Sequence, residues 1–164
     1  MAQHDDHAHH DHPTAPAHAS YAAFRGHPLH PMVVPLPIGA FLMLLLSDLA
    51  FLGTGDAFWA RASFWLLVVG ILGGAVAGLI GLLDFTSIGH ARNRQGQLHA
   101  WGNAAVLVVA IVNVYLRTAD AAAPIAGWGV ALTVLMVLML AVTGWAGGEL
   151  VYRHGVGLLP DRRR

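Results

Sequence analysis

Imidazoles and carboxylates recur at four separated points of this chain. His27 and His30 stand in Gly26-His27-Pro28-Leu29-His30-Pro31, and Asp84 and His90 follow a long apolar run. His99 opens another such run with Asn103 four residues on, and Glu149 and His154 close the last. Imidazole with carboxylate suits Zn, Fe, Ni or Cu(II), and a pair of imidazoles suits the axial positions of haem iron. The pattern predicts a redox cofactor, haem b, or a divalent transition metal. His99 and His154 are the first axial pair, with His30 next. The metal set is His27, His30, Asp84, His90, His99, Glu149 and His154. Each residue also has a structural account. Glu149 pairs with Arg153 at i, i+4, and His154 suits a helix C-terminus. Asp84 opposes that dipole, which calls for a nearby cation.

Positioning these groups is the task of unusually apolar elements. The 164 residues are 56% hydrophobic and 11% charged, against roughly 25% charged in soluble domains. Runs of about 20 apolar residues suffice to cross a bilayer. Four occur, at about 33–52, 58–83, 98–116 and 128–151. No polar face marks a soluble bundle. The fold class is therefore an all-α, integral membrane four-helix bundle occupying 25–157, with an Arg-rich tail at 158–164. Prolines 28, 31, 35 and 37 are expected to hold His27 and His30 extended and to delay the first helix to about Pro37. Residues 1–24 form a His-rich segment with too little apolar content for a core, predicted disordered. Its six histidines and three aspartates suit Zn, Ni or Cu.

Four crossings return both termini to one side. That side carries seven arginines (25, 92, 94, 153, 162, 163 and 164), against Arg61 and Arg117 opposite. The positive-inside rule makes the side cytoplasmic and the protein a multi-pass protein of an inner (plasma) membrane. Trp59, Tyr115, Trp128, Trp101 and Tyr152 lie at the boundaries, while Trp65 and Trp145 lie deeper and are expected to pack. The absence of cysteine excludes thiolate chemistry, and a formal net charge of zero leaves no footprint for nucleic acid.

Gly70, Gly74 and Gly78 repeat every four residues, as do Gly144 and Gly148. Such stripes let helix backbones approach closely in lipid. They equally make room for a flat macrocycle or a homodimer seam. Asp48 lies about a turn inside the membrane, where an unpaired acid is costly. A fixed pair is the favoured account, with Asn113, Arg61 or Arg117 in reach. His30 with Asp84 and His99 with Glu149 also echo one another across the two halves, as a parallel repeat about the membrane normal would.

Several of these stretches act together as a signature: His27-Pro28-Leu29-His30-Pro31, Pro35-Leu36-Pro37-Ile38-Gly39, Asp48, Gly81-Leu82-Leu83-Asp84, Leu98-His99-Ala100, and the run from Gly147 to Gly157. The chain resembles, from about Phe24 to Leu159, the bacterial small membrane proteins catalogued as domain of unknown function 2231. The resemblance implies four spans. Through relatives that look joined to Rieske-type iron–sulfur domains, it also implies electron transfer and a redox partner protein. The leading function is thus cofactor or metal binding at the cytoplasmic end. The alternatives are a small ion or proton transporter, with Asp48 and Asp84 at opposite ends of a route, and a non-catalytic membrane scaffold. Ser87 near His90 and Asp84 lacks a nucleophile-elbow pattern, so no enzymatic activity is assigned.

Overall fold

In the computed structural model, which describes residues 19–157, four long helices carry the chain back and forth. A two-residue β-hairpin comes first: β1 (Ala23–Phe24) pairs antiparallel with β2 (His27–Pro28). Its turn residues Arg25 and Gly26 both have positive φ, 49° and 83°, as a type I′ turn requires. Then follow α1 (Leu29–Val33), α2 (Pro35–Thr54), α3 (Ala57–Ser87), a 3₁₀ turn (Gly89–Arg92), α4 (Arg94–Leu116), a π-helical turn (Ile125–Gly129) and α5 (Val130–Tyr152). Four segments are long and apolar enough to cross a membrane: Leu29–Thr54, Ala57–Ser87, Arg94–Leu116 and Ile125–Tyr152.

The first helix begins earlier than the prolines suggested, and His30 is helical rather than extended. Pro28 is the residue before α1, Pro31 its third residue, and Pro35 and Pro37 the first and third of α2. First-turn N–H groups have no intrahelical acceptor, so proline costs little there. The Val34 N–H donates to the His30 carbonyl, carrying the helix across the junction. Other ends are capped by short polar residues. Gly55 closes α2 in the left-handed region, at φ 68°. The Asp56 carboxylate accepts from Phe58 N–H, and the Asn93 side chain accepts from Gly96 N–H.

Helix α2 packs along α3 and α4 along α5, and the two hairpins meet through α3 with α4 and α2 with α5. The centre is Phe41, Leu44, Leu67, Val106, Ala110 and Met136. Burial repeats between the hairpins. Pro37, Phe41, Leu44 and Asp48 are buried on α2, and Val106, Ala110, Asn113 and Arg117 occupy the equivalent buried positions 69 residues on (106 − 37 through 117 − 48). A two-fold axis along the bundle produces this pattern. Large and small residues exchange places across it. Phe41 on α2 fills the notch at Gly70 on α3, whereas in the second hairpin the small residue, Ala110, is on α4 and the large one, Met136, on α5.

Of the glycines expected to make room for a macrocycle or a dimer, some are filled from within the chain, while Gly144 is open. Gly70 is covered by Phe41, Gly73 by Leu36 and Pro37, and Gly74 by Leu107 and Pro37, while Gly78 has no atom near its Cβ position. Trp65 and Trp145 do not pack inside: they are 64% and 74% exposed. Both point outward from an apolar bundle whose centre is filled by smaller side chains.

Candidate functional site

Two polar pairs join the first span, α1 followed by α2, to α4, on opposite corners of the bundle. At the end where the chain enters, the His30 and His99 rings meet edge to face with centroids 6.0 Å apart and planes at 82°. Each ring reaches a carbonyl on its own hairpin partner, His30 Nδ1 to Ala77 O at 2.9 Å and His99 Nδ1 to Thr143 O at 2.8 Å. A carbonyl only accepts, so each Nδ1 carries a proton, and in the neutral form of each ring the lone pair is on Nε2. One turn beyond each acceptor stands a glycine. A Cβ at Gly81 would come within 2.9 Å of the His30 ring, and one at Gly147 within 2.8 Å of the His99 ring. The two acceptors and the two glycines are each separated by 66 residues (143 − 77 and 147 − 81). Both hairpins thus build the same device: an imidazole seated on a glycine and oriented by a carbonyl one turn before it.

The second hairpin adds a brace. The Asn103 amide donates to the His99 carbonyl at 2.7 Å, and the Thr143 hydroxyl donates to Asn103 Oδ1 at 3.2 Å. His99 and Asn103 share a face, as their spacing implied.

The opposite end holds Asp48 and Arg117, both fully enclosed. Arg117 Nη1 donates to Asp48 Oδ1 at 2.6 Å and Nη2 to Oδ2 at 2.8 Å. The Thr133 hydroxyl donates to Oδ2 at 2.8 Å. Asn113 Oδ1 accepts from Arg117 Nε at 3.0 Å, and the Asn113 amide donates to Gly129 O. The expected fixed pair is therefore present, but Asn113 bonds Arg117 and not the acid. Arg117, counted from sequence as an interfacial arginine, is 1% exposed. A buried carboxylate and guanidinium are tolerated only when paired and fully hydrogen-bonded, which draws Arg117 inward at the end of α4. Eighteen residues separate His30 from Asp48 and His99 from Arg117 (48 − 30 and 117 − 99). At 1.5 Å per residue the two pairs lie about 27 Å apart.

The remaining predicted site residues do not join the histidine pair. Asp84 accepts from Ser20 Oγ at 2.6 Å, Tyr21 N–H at 2.9 Å and Ala22 N–H at 3.3 Å. Donors from the incoming chain, not the expected cation, hold it against the helix dipole. Glu149 pairs with the exposed Arg153 at 3.0 Å. His27 and His90 are exposed, and His154 is half-buried in the turn after α5. The ring facing His99 is that of His30 rather than His154. Among the described residues no three His, Cys, Asp or Glu side chains converge to hold a metal, so the seven-residue set is not one cluster. The histidines of residues 4–18 lie outside the described residues. From sequence, His30 and His99 belong to the same candidate set, with His154 rather than His30 as the first partner of His99. The signal that unites them is their shared 69-residue spacing with Asp48 and Arg117.

Fold and site define a multi-pass helical membrane protein built of two equivalent hairpins, with a histidine pair on its internal axis. A family model described as "Predicted membrane protein (DUF2231)" matches residues 26–160, and the chain belongs to that family. No curated protein and no solved structure matches it.

Proposed function

We propose that His30 and His99 form a two-imidazole site for a transition metal at the cytoplasmic end of a multi-pass protein of the bacterial inner membrane. The observation that carries this reading is that both rings spend Nδ1–H on a main-chain carbonyl and keep Nε2 as a donor. Metal-ligating histidines are commonly oriented by such a second-shell bond. Metal–nitrogen bonds of about 2.0–2.1 Å, with about 1.1 Å from nitrogen to ring centre, put two imidazoles on one ion with centroids about 5–6 Å apart. The 6.0 Å spacing here suits that. Imidazole donors favour Zn, Cu, Fe or Ni. Copper or iron would give the site the electron-transfer role and the redox partner that the family resemblance implies.

Haem fits less well than a bare ion. The axial spacing agrees, but Gly70, Gly73 and Gly74, three members of the small-residue stripe, are filled by side chains of the same chain. A transport route is disfavoured too. Asp48 is saturated by Arg117 and Thr133, and an apolar core lies between the two ends. The cytoplasmic placement rests on arginine: with Arg117 enclosed, Arg25, Arg92, Arg94 and Arg153 stand on the histidine side against Arg61 among the described residues.

Elemental analysis and an absorption spectrum of protein purified in mild detergent test the reading. The expected result is one equivalent of metal, lost in both His30→Ala and His99→Ala. A Soret band lost in the same variants would replace the bare ion with haem. Protein that stays metal-free when offered Zn, Cu, Fe or Ni would leave the pair a structural tether between hairpins.

A further inference from the structure

Beside the histidine pair, the seam between α4 and α5 opens outward as a shallow groove of about 290 Å³. Leu98 and Gly102 form one wall, and Leu138, Met139, Val142 and Thr143 the other. Leu98, Leu138 and Val142 are about half exposed. Thr143, the one lining residue with a polar side chain, donates its hydroxyl to Asn103 Oδ1 and lays its methyl group against Gly102. The groove therefore offers an occupant almost nothing but hydrocarbon.

The headgroup end of the groove carries positive charge that the bundle does not use. Arg94 stands four residues before Leu98 and eight before Gly102, so the three share one face of α4. At 1.5 Å per residue, Arg94 lies about 6 Å beyond Leu98 and about 12 Å beyond Gly102 along the axis. Arg92, in the preceding 3₁₀ turn, is exposed beside it. The described acids of this end are both engaged, Asp84 by Ser20, Tyr21 and Ala22, and Glu149 by Arg153. Neither Arg92 nor Arg94 has a side-chain partner among the described residues. Trp101, three residues past Leu98, is 72% exposed, and an indole near a helix end suits the headgroup boundary.

The first hairpin builds the same seam and closes it. Arg25 answers Arg94 (94 − 25 = 69), Val33 answers Gly102 (102 − 33 = 69) and Gly73 answers Met139 (139 − 73 = 66). There the arginine lies over the Phe24 ring, 5.5 Å from its centre. A valine takes the place of the glycine, and Leu36 and Pro37 cover Gly73. One hairpin spends its arginine on its own ring and packs its seam from within. The other leaves both available.

We propose that the α4–α5 seam binds an anionic phospholipid, with an acyl chain along the groove and the phosphate at Arg94, backed by Arg92. The guanidinium fork matches phosphate oxygens, and basic residues at a membrane surface draw anionic headgroups. An acidic protein partner would meet the arginines and leave the groove empty. A neutral lipid would fill the groove and leave the arginines unpaired. The site does not depend on a metal at His30 and His99.

The test strips full-length protein of lipid in mild detergent. It is then titrated with phosphatidylglycerol and with phosphatidylcholine of the same chains, and native mass spectrometry counts the lipid bound. Wild type is expected to hold one phosphatidylglycerol roughly tenfold more tightly than phosphatidylcholine, as two arginines beside an anionic headgroup imply. Arg92→Gln/Arg94→Gln is expected to reduce phosphatidylglycerol to the level of phosphatidylcholine. Val142→Trp, which fills the groove, is expected to abolish that bound lipid. The equivalent changes in the first hairpin, Arg25→Gln and Val76→Trp (142 − 76 = 66), are expected to bind like wild type. All these side chains are exposed, so the variants are expected to fold. Equal binding of the two lipids by wild type would overturn the site, as would phosphatidylglycerol binding that survives both the arginine change and Val142→Trp. Lipid would then merely coat the bundle. Displacement of phosphatidylglycerol by an equal concentration of inorganic phosphate would overturn it too, since the arginines would then be reading free anion.

Discussion

The two ends of the bundle use one architectural plan for opposite purposes. Each places a polar side chain from the first span, α1 followed by α2, against its counterpart at the equivalent position of the third. At one end the partners are acid and base, and both carboxylate oxygens and all three guanidinium nitrogens are hydrogen-bonded: two Arg117–Asp48 bonds, Thr133 on the acid, Asn113 on the guanidinium. At the other the partners are identical, and each ring spends Nδ1 on a main-chain carbonyl. A saturated pair holds hairpins together. The histidine pair is the one proposed above to take a metal.

That contrast is broken most forcefully at the saturated end. Arg117→Ala or Asp48→Ala leaves one buried charge alone, and the expected loss is about 3–5 kcal/mol, read as a lowered unfolding temperature or as failure to accumulate folded protein in detergent. Asp48→Leu with Arg117→Leu should be less harmful than either single change, since apolar replacement of a whole buried pair is often neutral. A double variant worse than both singles would show that the two halves need the charge itself.

At the histidine end the next effect is steric. Gly81→Ala and Gly147→Ala push a methyl group against an imidazole, with an expected cost of about 1–3 kcal/mol. Matching losses, measured by thermal unfolding, sharpen the equivalence of the hairpins. A silent substitution at one glycine only would break it. His30→Ala and His99→Ala each remove one hydrogen bond to a carbonyl, about 1 kcal/mol, with full loss of bound metal. The smallest effects lie outside both pairs. Ser63 is buried with an unpartnered hydroxyl, so Ser63→Ala should hold or raise the unfolding temperature. The half-exposed Glu149–Arg153 pair should contribute under about 0.5 kcal/mol, checked by Glu149→Ala.

The four crossings were legible because apolar runs of this length have few other homes. Asp48 was legible as a paired acid because an unpaired one is costly in lipid. Its true partner was obscured by position: Arg117 follows the last apolar residue of α4 and counts as interfacial until the helices are packed. The prolines misled because an isolated proline reads as a breaker, whereas first-turn positions accept it. The internal repeat was approached through His30 with Asp84 and His99 with Glu149. The equivalent of Asp84 is Leu150, one residue past the glutamate (150 − 84 matches 147 − 81). Spacing among like residues conceals a repeat whose other marker is an aspartate in one half and an arginine in the other.

The separation of about 27 Å between the two polar pairs also makes the bundle a gauge. Hydrocarbon layers differ by several ångströms between membranes. A layer matching the gauge leaves the imidazoles at one margin and the ion pair at the other. A thicker one would draw the rings into oil or force the helices to tilt, and their Nε2 atoms would then meet the aqueous phase less often. Lipid chain length would thus set how deeply the histidine end sits.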